Sequence, residues 1–238
     1  MGLFTMVTAV ALLAIAGFVK EIAKEPTVAT PAALTANAHA TRHAPAPSSG
    51  RSRSLATSRT VPEISDGSSG LSYQLLASPW RRGCPATLNT PMFSWTAGEH
   101  AVAGRVDIYG TFIDWHGNAC SGRLAQQFTY SGPGDLEPVT MSLANALEPA
   151  YYSGLAHHRT IERSSATRIS GHRAWMVTFL MTYPGAAGEG LAWTSEAAAV
   201  VVVDRGAGRA PAVFYASVPS NLGTSNVSTL VSSLRLGG

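Results

Sequence analysis

The residues with the best claim to chemistry stand together at Asp114-Trp115-His116. A neutral imidazole near a carboxylate is the base-and-orienter half of a hydrolytic triad, and serines are plentiful enough to supply a nucleophile through space. The motifs that would support such a site are missing. The chain carries no G-x-S-x-G elbow, no H-E-x-x-H pair and no phosphate-binding G-x-x-x-x-G-K loop. A hydrolase using His116 and Asp114 is therefore a secondary alternative. Glycoside chemistry would need two carboxylates in one cleft, and nothing in the spacing of Glu99, Asp107, Asp114, Glu162, Glu189 and Glu196 selects a pair. Trp80, Trp95, Trp115, Trp175 and Trp193 are available to line a pocket, although such residues more often fill a core, and the alternation around Trp175 assigns it there. Trp80, Asp114, Trp115 and His116 make up the candidate functional surface. No residue is assigned a catalytic role.

Cys84 and Cys120 are the only thiols. Both are flanked by loop-type residues, and an even count favours a disulfide that clips the first part of the sheet. The rival arrangement is a metal site of Cys84, His116 and Cys120 completed by His157 or His158. Without a C-x-x-C or H-x-x-x-H knuckle that signature is weak, and neither a metal nor a cofactor is expected. Gly206 and Gly208 read as a hairpin turn and not as a phosphate cradle.

Net charge is +3, spread between a mildly basic N-terminal stretch and a near-neutral remainder, and no lysine follows Lys24. That is too little clustered charge for a nucleic-acid footprint. Leu3 to Val19 is continuously apolar or small apart from two threonines, at the short end of what crosses a bilayer. An uncleaved single anchor within residues 1–25 is preferred over a cleavable signal peptide, which would leave a secreted protein. Residues 26–70, rich in Ala, Pro, Ser, Thr and Arg, cannot bury enough surface to offset their ordering entropy and read as a disordered tether. Residues 71–238 form the globular domain, placed outside the cytoplasm by the expected disulfide.

Within that domain, strands are expected at Leu71 to Leu76, Phe93 to Thr96 and Ala101 to Phe112, with a turn at Ala97 to His100. Asp114 to Cys120 reads as a loop, and Leu124 to Tyr130 as a short strand or a helix start. Leu143, Leu147 and Tyr151 share one stripe and predict a helix over Thr140 to Leu155, kinked or broken near Glu148 by Pro149. Arg159 to Ser170 and His172 to Tyr183 predict one hairpin. Ala197 to Val203 and Ala212 to Pro219 predict the central one, its first strand covered on both faces and its second packed harder on one. Val227 to Leu236 closes the chain as a short helix. The class is α+β, an antiparallel sheet flanked by helices.

The segment SATRISGHRAWMVTFLMTY, Ser165 to Tyr183, carries Gly171-His172-Arg173-Ala174 before a long apolar strand. It resembles the hairpin of PsbP-like proteins, among them actinobacterial envelope lipoproteins of the LpqN type. The valine strand to Val203, the return strand ending Ala216-Ser217-Val218-Pro219 and the last helix with Val231-Ser232-Ser233-Leu234 are similar as well. The lipobox cysteine of the LpqN type is absent, so Leu3 to Val19 would replace the lipid anchor. The resemblance implies an α/β/α sandwich whose common role is binding or assisting other proteins, and it carries over no catalytic residue. The expectation is a non-catalytic, membrane-tethered extracytoplasmic module acting on another envelope protein. The alternative is a small-ligand or lipid-binding envelope protein.

Overall fold

The computed structural model describes residues 61–237 except Tyr109. The expected anchor, and the tether as far as residue 60, lie outside the described residues. Among the described residues no helix is long and apolar enough to cross a membrane.

The globular part begins before the expected boundary at Leu71. Strand β1 (Glu63–Ser65) pairs antiparallel with β2 (Leu71–Gln74), and β2 pairs on its other side with β10 (Arg235–Leu236). Asp66 holds this entry point. Its carboxylate accepts from the Ser69 hydroxyl at 2.6 Å, from Thr96 Oγ1 at 2.8 Å and from Ser121 Oγ at 2.9 Å, so the composition-based tether gives way to an ordered turn.

The main sheet is antiparallel and has seven strands in the order β3-β4-β5-β9-β8-β7-β6. They are β3 (Arg81–Arg82), β4 (Trp95–Ile108), β5 (Thr111–Arg123), β6 (His158–Ile169), β7 (His172–Thr182), β8 (Ser195–Val203) and β9 (Ala212–Pro219). Helix α1 (Leu136–Tyr151) covers one face, where Leu143 and Leu147 meet Val177, Phe179 and Val200. Helix α2 (Asn226–Ser233) and the small sheet cover the other, where Leu230 and Leu71 meet Val201 and Phe214. The architecture is α+β with antiparallel sheets. Both long hairpins fall where the alternation placed them, with Ser170 at positive φ before Gly171 in the first turn. In β9 all eight residues are buried, so the expected lighter face is in fact covered by the small sheet and α2.

The β4–β5 region departs most from expectation. Ala97 to His100 is not a turn and Asp114 to Cys120 is not a loop; both lie inside a long hairpin that reverses around Gly110. Gly98, Gly117 and Gly122 mark close approach instead of reversal. A Cβ on Gly98 would overlap Cys84 Sγ and the Ala119 carbonyl oxygen, and one on Gly117 would press on Leu222 and Trp80. Leu124 to Tyr130 is neither strand nor helix. Helix α1 starts four residues before Thr140, whose hydroxyl donates back to Leu136 O at 2.6 Å. Pro149 does not break it. So near the end little ladder remains to disrupt, and Tyr152 N still donates to Glu148 O at 2.9 Å. The closing helix is shorter than expected because Arg235 and Leu236 pair with β2.

Cys84 and Cys120 are joined in a disulfide spanning 36 positions. Closing a loop of that length contributes about 3–4 kcal/mol on the chain-entropy account. Reduction should lower the urea midpoint by a corresponding amount without abolishing the α+β circular-dichroism signature. Gly98→Ala, which sets a methyl against the same bridge, should cost about 3 kcal/mol. An unchanged midpoint for either would show that the packing around the bridge is loose.

Candidate functional site

Face alternation on the central strands puts one acid where only apolar groups otherwise stand. Glu196 shares its side of β8 with Ala198, Val200 and Val202, and it is 2% exposed. Three donors from three parts of the chain converge on its carboxylate. Trp115 Nε1 on β5 donates to Oε2 at 3.0 Å, Tyr183 OH after β7 donates to the same oxygen at 3.0 Å, and Ser217 Oγ on β9 donates to Oε1. The Ser217 hydroxyl also meets Tyr152 OH at 2.5 Å, which lies 2.7 Å from Tyr215 OH. Burial raises the pKa of Glu196, and the three donors oppose that rise. Burial and the nearby carboxylate raise the phenols of Tyr152, Tyr183 and Tyr215 as well.

Beside this network lies a cavity of about 200 Å³, lined by Asn118, Glu196, Tyr151, Tyr152 and Tyr215, with His116 also on its wall. Asn118 is 4% exposed and its Oδ1 has no hydrogen-bond partner in the protein. Tyr151 stands between the cavity and the aromatic stack of Phe93 and Trp95. Its hydroxyl accepts from Trp95 Nε1 at 3.0 Å and donates to Leu88 O at 2.6 Å, and burial pushes its pKa up to about 12.

Three of the four residues picked from the sequence line this cavity: Asp114, Trp115 and His116. They do not assemble as a dyad. Asp114 Oδ1 accepts from Arg105 Nε at 3.1 Å in an exposed pair, whereas the His116 ring stands edge-on to His100 at 5.4 Å. Among the described residues no hydrogen bond joins the Asp114 carboxylate to the His116 ring. Burial lowers the pKa of His116, and His100 adds to that effect against the pull of Asp114. Trp80 is elsewhere, buried in the core under the small sheet. With both sulfurs in the disulfide, Cys84 and Cys120 offer no thiolate to a metal, and His157 is bound to Glu148 at 3.2 Å. Trp175, expected in the core, is only partly buried, its indole donating to Ser164 Oγ at 2.9 Å. Asn118, Tyr152, Tyr215 and Ser217 escaped the sequence reading, and Glu196 was one acid among six. Its signal was available: a lone charge opening an otherwise apolar strand.

The second feature is the far end of the β4–β5 hairpin. Strand β9 pairs with β5 only from Asn118 onward, and β3 pairs with β4 only at Glu99 and His100. Beyond these points the hairpin continues as a two-stranded arm. Trp193 anchors its base, stacking on Trp115 at 5.9 Å and lying over Gly104, while Asn221 Nδ2 donates to Ala103 O at 2.7 Å. Toward the tip, Phe112 is 69% exposed and Ile113 is exposed with it, and Val102 is exposed nearer the base.

No family model matches the chain, and no curated protein matches it. Solved structures are similar to it, among them the following two. One is cyanobacterial PsbP (CyanoP) from Synechocystis sp. PCC 6803, at 12% identity and a TM-score of 0.45, covering 76% of this chain and 96% of that one. The other is the Saccharomyces cerevisiae Ran-binding protein Mog1p, at 11% identity and a TM-score of 0.41, covering 74% of this chain and 96% of that one. Likeness of this extent carries nothing about activity or partner.

A second buried acid sets the response to pH. Glu99 is fully buried, with Oε2 accepting from Leu76 N at 2.9 Å and Oε1 unpartnered. Burial pushes its carboxyl up to about 7, only partly offset by the Leu76 amide and Arg82. Because the folded form holds its proton to higher pH than the unfolded form near 4.5, stability should fall as pH rises from there to about 7 and then level off. The drop should be at most about 3 kcal/mol. Asp66 acts oppositely: burial raises its pKa, but the donors from Ser69, Thr96 and Ser121 win and lower it, so its contribution is lost as pH falls below about 4. Urea midpoints measured across this range should peak between the two limbs, and Glu99→Gln should make the upper one shallower, leaving the part that Glu196 contributes. A wild-type upper limb that rises with pH would contradict the assignment.

Proposed function

We propose that the domain is a non-catalytic binding module that docks another cell-envelope protein through the β4–β5 arm. Residues 1–25 would anchor it in the membrane with the domain on the extracytoplasmic side, in the manner of the lipid anchor of LpqN-type proteins. The observation that carries the reading is Phe112, a large aromatic left 69% exposed near the end of a two-stranded ribbon. Aromatic residues of this kind serve as anchors in protein interfaces, where truncating one costs about 2 kcal/mol or more. Asp107 faces it across the ladder and the Arg105–Asp114 pair stands next along the ribbon, which suits a partner presenting an apolar pocket with a polar rim. The outer strand β6 is a poorer docking edge, because Arg159, Glu162, Arg163 and Arg168 and an irregularity at Ile161/Arg163 blunt it.

A second role, small-ligand binding, is supported by the cavity beside Glu196 and the unpartnered Asn118 Oδ1.

The test of docking places a photo-crosslinking phenylalanine analogue at Phe112 in the full-length protein, in intact cells, with the same analogue at Glu189 as control. One envelope protein should be captured from the arm and not from the control. Phe112→Ala should weaken binding of that protein at least tenfold while leaving the urea midpoint within experimental scatter. Identical adducts from both positions, or none from the arm, would sink the proposal.

A further inference from the structure

The cavity beside Glu196 combines features that ordinary core packing avoids. Its carboxylate is buried, yet none of the ion pairs among the described residues includes it, and no arginine or lysine lines the cavity. A buried acid of this kind is costly unless a cation or hydrogen bonds compensate it. Here hydrogen bonds do part of that. Trp115, Tyr183 and Ser217 spend their protons on Glu196, and Tyr152 and Tyr215 extend the same chain of hydroxyls. What remains on the cavity side is acceptor capacity. Oε1 accepts from Ser217 alone, and Asn118, a residue of the same wall, has an Oδ1 that is buried and accepts from nothing. The remaining walls include the rings of Trp115, Tyr151, Tyr152 and Tyr215, whose faces attract positive charge.

We infer that this cavity binds a small organic ammonium ion, its N–H group donating to Glu196 Oε1 and its alkyl portion lying against the aromatic rings. The inference rests on the small-ligand reading above and names the chemical class that reading leaves open. Size narrows the class. About 200 Å³ is the liquid-volume share of roughly six or seven waters at ~30 Å³ each, which accommodates a compact amine and falls short of a drug-sized ligand. An anion is disfavoured because it would meet the Glu196 carboxylate with no cation on the wall. A neutral alcohol has no charge to set against the acid.

Three probes of matched size separate the possibilities: butylammonium, butanol and butyrate. The readout is the indole Nε1–H resonance of Trp115 in full-length protein labelled with ¹⁵N-tryptophan and held in detergent, since that group bonds Glu196 and borders the cavity. Butylammonium should shift the resonance saturably, butanol should bind at least tenfold more weakly, and butyrate should leave it unmoved. Glu196→Gln should weaken butylammonium at least tenfold with little effect on butanol. The comparison of probes on the unmutated protein stands even if that variant does not fold. Equal binding of butanol and butylammonium would overturn the ammonium assignment and keep a ligand site. No saturable response to any probe would overturn both. Undiminished butylammonium binding in a folded Glu196→Gln variant would overturn the role given to the carboxylate.

Discussion

Glu196 buries a carboxylate in the middle of an apolar face, and its three donors tie together parts of the chain that share no local contact. Trp115 comes from the base of the arm, Tyr183 from the end of β7, and Ser217 from β9. Removing any one would leave a buried acceptor short of a partner, so each element is held where the acid needs it. The same demand explains the aromatic character of the neighbourhood. Tyr152 and Tyr215 carry a hydroxyl on a large apolar body, and they let the polar chain reach from α1 to β9 without opening the core to water.

Around that fixed point the sheet is unevenly finished. Its central strands β8 and β9 are sealed on both faces, by α1 on one side and by α2 with the small sheet on the other. The flanking strands outlast this cover. β5 runs past the end of β9, and the ribbon it makes with β4 leans inward through Val106, Ile108 and Trp115 while its tip stays bare. Cavity and tip therefore adjoin: Ile113 and Asp114 belong to both. The proposed ligand site and the proposed docking tip thus draw on one hairpin, held by the stack of Trp115 on Trp193.

The hairpins β6–β7 and β8–β9 were legible because alternation and continuous apolar runs are local signals, and their turns sit at glycines doing what glycines in turns do. The β4–β5 hairpin was misread for a related reason. Gly98 and Gly117 look like reversals in sequence, but here a missing side chain makes room for the disulfide and for Leu222 and Trp80, and those partners are remote along the chain. The cavity was half visible. Asp114, Trp115 and His116 drew notice as a cluster of chemical types, whereas Asn118 and Ser217 are unremarkable residues until the register of β5 against β9 sets them opposite each other. Likewise, residues 61–70 have the composition of a linker, and only the distant hydroxyls of Thr96 and Ser121 give Asp66 a reason to order them.

That turn at Asp66 also decides how the domain carries mechanical load. The chain enters through β1, which is joined to β2 by three facing residue pairs, and a pull along the preceding segment acts first on those. Behind them stands Asp66, clamped to β4 through Thr96 and to β5 through Ser121. Force that strips β1 is thereby handed to the main sheet across several side-chain bonds at once, close to the disulfide that ties β5 to the segment before β4. Strand β1 works as a sacrificial edge, and tension can consume it while the arm and the Glu196 network keep their shape.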